Sequence, residues 1–124
     1  MFIGTARDAA DLLRPLFEDL SGERLAILHL DGRGSELHLG VEDSMSPDSA
    51  PLPLREIIGV ALQLDTAALV IAHNHPSGDP TPSRADLDAT GRLAGTAAAL
   101  GIRLHDHLIF AGGACRSFRE LGLL

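Results

Sequence analysis

Two histidines and an aspartate near the middle of the 124-residue chain are spaced as metal ligands. His73 and His75 stand two residues apart at the end of a predicted strand, so their side chains point to the same face. Such a pair can take two corners of a tetrahedral metal site. Asp86 lies in the first turn of a helix predicted to begin at Ser83, and its carboxylate can return to the histidines. The pattern predicts a site with a fourth position open for water, which is typical of catalytic zinc.

The chemistry that such a site predicts is hydrolysis. Zinc lowers the pKa of its bound water towards about 7 and so supplies hydroxide near neutral pH. A hydrolase also needs a base to take the proton of that water. Glu23, immediately before the first predicted buried strand, is a candidate for this base. Because the chain has six glutamates, position alone does not single out Glu23.

The same residues also have structural interpretations. The pattern Ser83-x-x-Asp86 is similar to a capping box, and most capping boxes only start a helix. A His-x-His pair by itself is more often structural than metal-binding, and Pro80 and Pro82 would stiffen any loop. We favour the metal interpretation because all these features occur together at this spacing.

The elements that must position these residues alternate between helices and strands. Apolar spacing predicts an amphipathic helix over residues 6–20, with a kink or break at Pro15. The other predicted elements are strands over 24–30, 37–41, 67–72 and 102–110, helices over 54–64 and 83–100, and loops over 43–53 and 73–82. This alternation predicts an α/β fold with a mixed sheet.

Composition indicates one globular domain. Hydrophobic residues make up 45% of the chain and charged residues 22%, which is ordinary for a soluble protein. The longest apolar run, residues 67–72, is far shorter than the roughly 20 residues of a membrane span. The N-terminus does not resemble a signal peptide, and the single cysteine, Cys115, excludes an internal disulfide. We therefore expect a cytoplasmic protein without a membrane partner.

The charged residues exclude several classes of function. The ten basic residues are all arginine, and they face 17 acidic residues, for a net charge of −7. Without lysine the chain cannot perform Schiff-base chemistry or form a P-loop. Scarce positive charge and the lack of Tyr and Trp argue against nucleic-acid binding by this domain alone. Zinc deaminases need H-x-E with P-C-x-x-C, and the chain has neither motif.

Two family signatures match these motifs. His73-x-His75-Pro76, followed after six residues by Ser83-x-x-Asp86, resembles the JAMM (MPN+) metalloprotease signature. More narrowly, the chain resembles the bacterial RadC family over roughly residues 12–124. The segments that carry this second resemblance are HNHPSGDPTPS (73–83), LHDHLI (104–109) and Ser-Phe (117–118).

The resemblance implies roles for five residues. It implies one zinc ion per chain, held by His73, His75 and Asp86. It implies Ser83 as a donor to the tetrahedral oxyanion, and it places Glu23 at the position of the general base. The implied fold is a cytidine-deaminase-like three-layer α/β/α sandwich. The implied reaction is hydrolysis, in which metal-bound water attacks the carbonyl of a peptide or of an isopeptide-linked protein substrate.

The chain departs from the family pattern in two places. RadC proteins usually carry an N-terminal helix-hairpin-helix region, so we expect 1–124 to be a single RadC-like JAB/JAMM domain that lacks it. The loop over 42–53 also lacks the Gly-Thr that usually precedes the Arg55-Glu56 helix. An alternative function is therefore a non-catalytic or degenerate RadC-type binding module associated with DNA repair, DNA processing or mobile elements.

Asp106 is a further candidate. On the last predicted strand it shares an apolar face with Leu104 and Leu108, so its carboxylate should be paired. It would either hold a metal-bound histidine from behind or cap a neighbouring backbone group. We do not interpret His105 and His107 as a separate metal site.

Overall fold

A computed structural model of the chain describes residue 4 and the ranges 6–44 and 52–124. In chain order the elements are α1 (Ala6–Leu13), a 3₁₀ helix (Arg14–Phe17), β1 (Glu23–Leu30), β2 (Glu36–Ser44), α2 (Leu54–Gln63), β3 (Ala68–Asn74), α3 (Arg84–Ala99), β4 (Arg103–Ala111) and β5 (Ala114–Ser117). None of the helices in these ranges has the length and apolar character that crossing a bilayer requires.

The five strands form one mixed sheet in the order β2-β1-β3-β4-β5. β3 and β4 are parallel, and the other neighbours are antiparallel. α1 packs on one face of the sheet, whereas α2 and α3 pack on the other. The predicted α/β fold with a mixed sheet is therefore confirmed, and its layers are helix, sheet and helix.

The central strands are apolar on both sides because helices cover both faces of the sheet. Successive strand residues point to opposite faces. Leu28 and Val70 pack with Leu13 of α1, and Ile71 packs with Leu93 of α3 on the other face. The side chain two residues beyond Ile71 is that of His73, so the strand delivers this histidine to the α3 side.

The ends of several elements differ from the sequence prediction. The helix predicted over 6–20 breaks at Leu13, and Pro15 lies at the start of the 3₁₀ helix, as expected for a ring that removes a backbone donor. β3 continues to Asn74, so His73 belongs to the sheet rather than to a loop. β5 was not predicted, because four residues carry little pattern. Most of the loop predicted over 43–53 lies outside the described residues.

A β-bulge in β4 overturns one expectation. Leu69 lies opposite Leu104, whereas the next residue, Val70, lies opposite Asp106. This extra residue on β4 shifts the alternation of faces. Leu104 packs on the α2 and α3 side and Leu108 on the α1 side. The prediction that Asp106 shares one face with both leucines was therefore wrong.

The contact between α3 and the sheet can be tested by shortening one buried side chain of the helix. Leu93 is fully buried, so we expect Leu93→Ala to lower the free energy of unfolding by about 2–5 kcal/mol through lost contacts and a cavity. The measurement is urea unfolding followed by circular dichroism. The control is Leu62→Ala on α2, where the leucine is 56% exposed and the change should stay within about 0.5 kcal/mol. Equal effects at the two sites would contradict this packing.

Candidate metal centre

The carboxyl end of β3 carries two of the predicted ligands. His73 lies opposite Leu25 of β1, a side chain that packs on the α2 and α3 side of the sheet. His75 follows the strand, and its backbone N–H donates to the carbonyl of Phe110 in β4 at 2.9 Å. This bond continues the sheet pairing past the end of β3 and fixes the second histidine close to the first.

A tight loop then returns the chain towards α3. The N–H of Gly78 donates to the carbonyl of His75 at 3.1 Å, and Gly78 has a φ of 90°, a conformation that favours glycine. The turn between β4 and β5 presses against this loop, because a Cβ added at Gly112 would lie 3.1 Å from the Gly78 carbonyl oxygen. Gly78 thus supplies the positive φ of the turn, and Gly112 allows the close approach of the two backbones.

The loop ends in a capping box at the start of α3. Ser83 is the N-cap, and its Oγ accepts the N–H of Asp86 at 3.0 Å. In return, Asp86 Oδ2 accepts the N–H of Ser83 at 2.8 Å. The same carboxylate also faces both histidines. The structural interpretation of Ser83-x-x-Asp86 therefore applies, and it is compatible with the metal interpretation because the cap aims the Asp86 carboxylate at both histidines.

The three side chains converge at distances that suit a metal ion. The Nε2 atoms of His73 and His75 lie 3.2 Å apart. Asp86 Oδ1 lies 3.3 Å from His73 Nε2, and Asp86 Oδ2 lies 3.0 Å from His75 Nε2. In a tetrahedral zinc site with bonds of about 2.0 Å, ligand atoms lie about 3.3 Å apart. Within the described ranges, these three residues are the one group of His, Cys, Asp and Glu able to hold a metal ion.

Both imidazole rings turn Nε2 towards the cluster and Nδ1 away from it. His75 Nδ1 lies 2.8 Å from the backbone carbonyl of Asp79. Because a carbonyl only accepts, His75 must carry a proton on Nδ1. The lone pair of its Nε2 is then free for a metal. His73 Nδ1 lies 2.8 Å from Nε2 of His107, so here a second ring takes the place of the carbonyl.

The Asp86 carboxyl is ionised at neutral pH. Burial alone would raise its pKa, but the hydrogen bonds that it accepts from His73 and from the Ser83 N–H outweigh burial and hold the pKa well below its usual range. Its side chain is 10% exposed, and those of His73 and His75 are 12% and 17% exposed. The cluster is thus largely shielded from water but still reachable from solvent.

His107 is a site residue that the sequence analysis missed. It is 1% exposed, and its Nδ1 lies 2.6 Å from the Thr90 hydroxyl of α3. The ring of Phe118 stacks on it, with centroids 4.5 Å apart. Burial, together with the nearby His73, lowers the pKa of His107 to about 3, so its ring is neutral at pH 7.

The Asp106 carboxylate makes its hydrogen bonds to groups outside the cluster of His73, His75 and Asp86. Its carboxylate accepts the N–H groups of His107 at 2.7 Å and Arg119 at 3.1 Å, and also the Ser117 hydroxyl. Of the two roles considered for Asp106, these bonds match the capping of neighbouring backbone. The contact to a histidine of the cluster is made by His107, and sequence alone could not show this because the bulge sets the register of β4.

Glu23 lines a cavity of about 600 Å³ together with His73 and Asp86 of the cluster. The side chain of Asn74 fixes the backbone on both sides of Glu23. Its Nδ2 donates to the carbonyl of Gly22 at 2.8 Å, and its Oδ1 accepts the N–H of Arg24 at 2.7 Å. The residue between the two histidines thus ties the start of β1 to the metal centre.

Ser83 and His105 occupy different surroundings. Ser83 is exposed and adjoins Asp86 through the capping box, but it is not among the residues that line the cavity. His105 is buried, and its Nδ1 lies 3.0 Å from a guanidinium nitrogen of Arg103. His105 and His107 therefore do not act as a pair.

The layered α/β fold, with a His-x-His pair at a strand end and an aspartate from the following helix, defines a JAB-type domain. A profile of the family described as "RadC-like JAB domain" matches residues 3–123. The chain belongs to this RadC family.

Two curated relatives support the assignment. A UPF0758 protein of Rhodobacter capsulatus is 43% identical over 102 residues, which is 82% of this chain and 48% of the relative. A UPF0758 protein of Ruegeria pomeroyi is 40% identical over 102 residues, 82% of this chain and 46% of the relative. The chain thus spans about half the length of these relatives.

The lone cysteine should be unreactive. Burial raises the pKa of the Cys115 thiol to about 11. Since only the thiolate reacts with iodoacetamide, native alkylation at pH 8 should be about 100-fold slower than that of an ordinary cysteine. It should accelerate as the pH rises towards 11. The control is the urea-unfolded protein at pH 8, and equal native and unfolded rates would contradict the raised pKa of this partly buried thiol.

Proposed function

We propose that this domain is a zinc-dependent hydrolase of the metallopeptidase or isopeptidase type. The observation that carries the proposal is the convergence of His73, His75 and Asp86 at the spacing of a tetrahedral site, beside a cavity that Glu23 lines together with His73 and Asp86. Two imidazoles and one carboxylate leave a position for water, which distinguishes catalytic from structural zinc sites.

The proposed ligands are the Nε2 atoms of His73 and His75 and one oxygen of Asp86. A zinc ion held there would lower the pKa of water and polarise a carbonyl group. The protein prepares the ligands for this ion. The Asp79 carbonyl selects the tautomer of His75, and the capping box keeps the Asp86 carboxylate pointed at the histidines.

Glu23 is the proposed general base. Its carboxylate would accept the proton of the attacking water and pass it to the leaving amine. Asn74 supports this role, since its hydrogen bonds hold the backbone groups immediately before and after Glu23. Ser83 is the proposed donor to the oxyanion. A hydroxyl can donate its O–H while its lone pair accepts the Asp86 N–H.

The proposed substrate is a peptide or an isopeptide-linked protein, cleaved in the cytoplasm by residues 1–124 acting as one catalytic domain. The cavity beside the cluster, about 600 Å³, has charged groups of both signs in its lining, including Arg92 and Asp88. Such a lining can bind the polar groups of an extended peptide substrate and also the apolar parts of its side chains. The alternative is a non-catalytic module associated with DNA processing, and the tests below separate the two.

Zinc binding provides the first test. Dialysed wild-type protein should bind about one zinc ion per chain, and His75→Ala should bind none, because two ligands hold zinc poorly. Zinc content is measured by plasma emission spectrometry. His38→Ala removes an exposed histidine of β2 and serves as the control that keeps its zinc. Unchanged zinc content in His75→Ala would contradict the ligand assignment.

Turnover provides the second test. Zinc-loaded protein is screened against peptides and isopeptide-linked conjugates for cleavage that a chelator stops and added zinc restores. On a substrate so found, Glu23→Gln should keep its zinc and lose about 10²- to 10⁴-fold in kcat, since the base is gone.

The control for this variant is Glu36→Gln, at the start of β2, which should cleave as wild type does. Full activity of Glu23→Gln would place the base elsewhere. A zinc-loaded protein that cleaves nothing in a broad panel would favour the binding module.

A further inference from the structure

We propose that His107 and Thr90 are positioning residues that fix the tautomer and the orientation of the metal ligand His73. This inference rests on the metal site of the proposed function. It assigns roles to two buried residues outside the proposed ligand set.

The direction of the hydrogen bonds follows from the ligand atom of His73. Its Nε2 faces His75 and Asp86, so a metal there takes the Nε2 lone pair. The ring proton of a neutral His73 must then be on Nδ1, and it donates across 2.8 Å to Nε2 of His107. An accepting Nε2 puts the proton of His107 on Nδ1, which donates to the Thr90 hydroxyl at 2.6 Å.

The packing around His107 leaves its ring little freedom. Its exposed fraction is 1%. The Phe118 ring lies almost parallel to it, at an angle of 14° and a centroid distance of 4.5 Å. The N–H of Phe118 also donates to the His107 carbonyl at 2.9 Å. A ring held in this way presents Nε2 to His73 in one direction, which orients the ligand.

The chain of hydrogen bonds ends on the helix that supplies the third ligand. Thr90 lies four residues after Asp86 in α3, so the two side chains share one face of the helix. Asp86 contacts His73 directly, at 3.3 Å, and Thr90 reaches it through His107. α3 therefore acts on both ring nitrogens of His73. Its Asp86 carboxylate contacts Nε2 directly, and its Thr90 reaches Nδ1 through the buried imidazole of His107.

Zinc affinity tests this role without any substrate. Groups behind a metal ligand typically contribute 10- to 100-fold in metal affinity. We expect His107→Leu to weaken zinc binding by about 10- to 100-fold, measured by competition with a chromogenic chelator. His107→Gln keeps an acceptor for His73 Nδ1 and should recover most of the affinity. Thr90→Val should weaken binding by several-fold.

The matched control is His105→Leu, which removes the other buried histidine of β4 and should leave zinc affinity unchanged. Circular dichroism and thermal unfolding of the metal-free variants establish that they are folded. A folded His107→Leu variant that binds zinc as tightly as wild type would overturn the proposal. Equal losses in the leucine and glutamine variants would overturn it as well, since a purely structural role would not distinguish them.

The ring proton of His107 gives a readout that needs no substrate and no activity. In ¹⁵N-labelled, zinc-loaded wild type, where the metal takes the Nε2 lone pair of His73, long-range ¹H–¹⁵N spectra should show His107 protonated on Nδ1, with assignment by comparison with His107→Leu. A proton on Nε2 would reverse the donor direction and overturn the proposal. Wild type that bound no zinc would contradict the proposed function, whereas wild type that bound zinc with His107 protonated on Nε2 would contradict this inference alone.

Discussion

The antiparallel pairing of β1 with β3 is the constraint on which the site depends. It brings the start of β1, with Glu23, to the same end of the sheet as the end of β3, with His73. Asn74 secures this end, since its amide bonds the backbone groups on either side of Glu23. The alternation of side chains along β3 then sends His73 to one side of the strand while its neighbour Asn74 holds β1. One dipeptide thus contributes to both the proposed metal site and the position of the proposed base.

The second constraint is the start of α3, where the helix cap and the proposed metal ligand are the same carboxylate. The cap alone would be a structural feature, and a carboxylate beside two histidines alone could adopt several orientations. Their combination fixes Asp86 by two hydrogen bonds to Ser83 and holds its pKa low. The proposed metal affinity would therefore be coupled to helix stability, and the Asp86 carboxylate is ionised without a metal.

The sequence predicted those parts of the structure that depend on local spacing. The His-x-His pair, the helix beginning after Ser83 and the break near Pro15 all follow from periodicity and backbone chemistry. The role of His107 does not, because it requires the register between parallel strands far apart in sequence. The bulge at Leu104–Asp106 shifts that register by one residue. Strict alternation of side chains therefore assigned the faces of β4 wrongly. It pointed to Asp106 as the residue behind a histidine of the cluster, whereas His107 makes that contact.

The most direct test of the central claim is a crystal structure of the zinc-loaded protein, with data collected at the zinc absorption edge. The account predicts one anomalous peak per chain, about 2.0–2.2 Å from Nε2 of His73, Nε2 of His75 and one oxygen of Asp86, with Glu23 facing the remaining position. A peak at other residues, or these three side chains pointing apart around no metal, would contradict it.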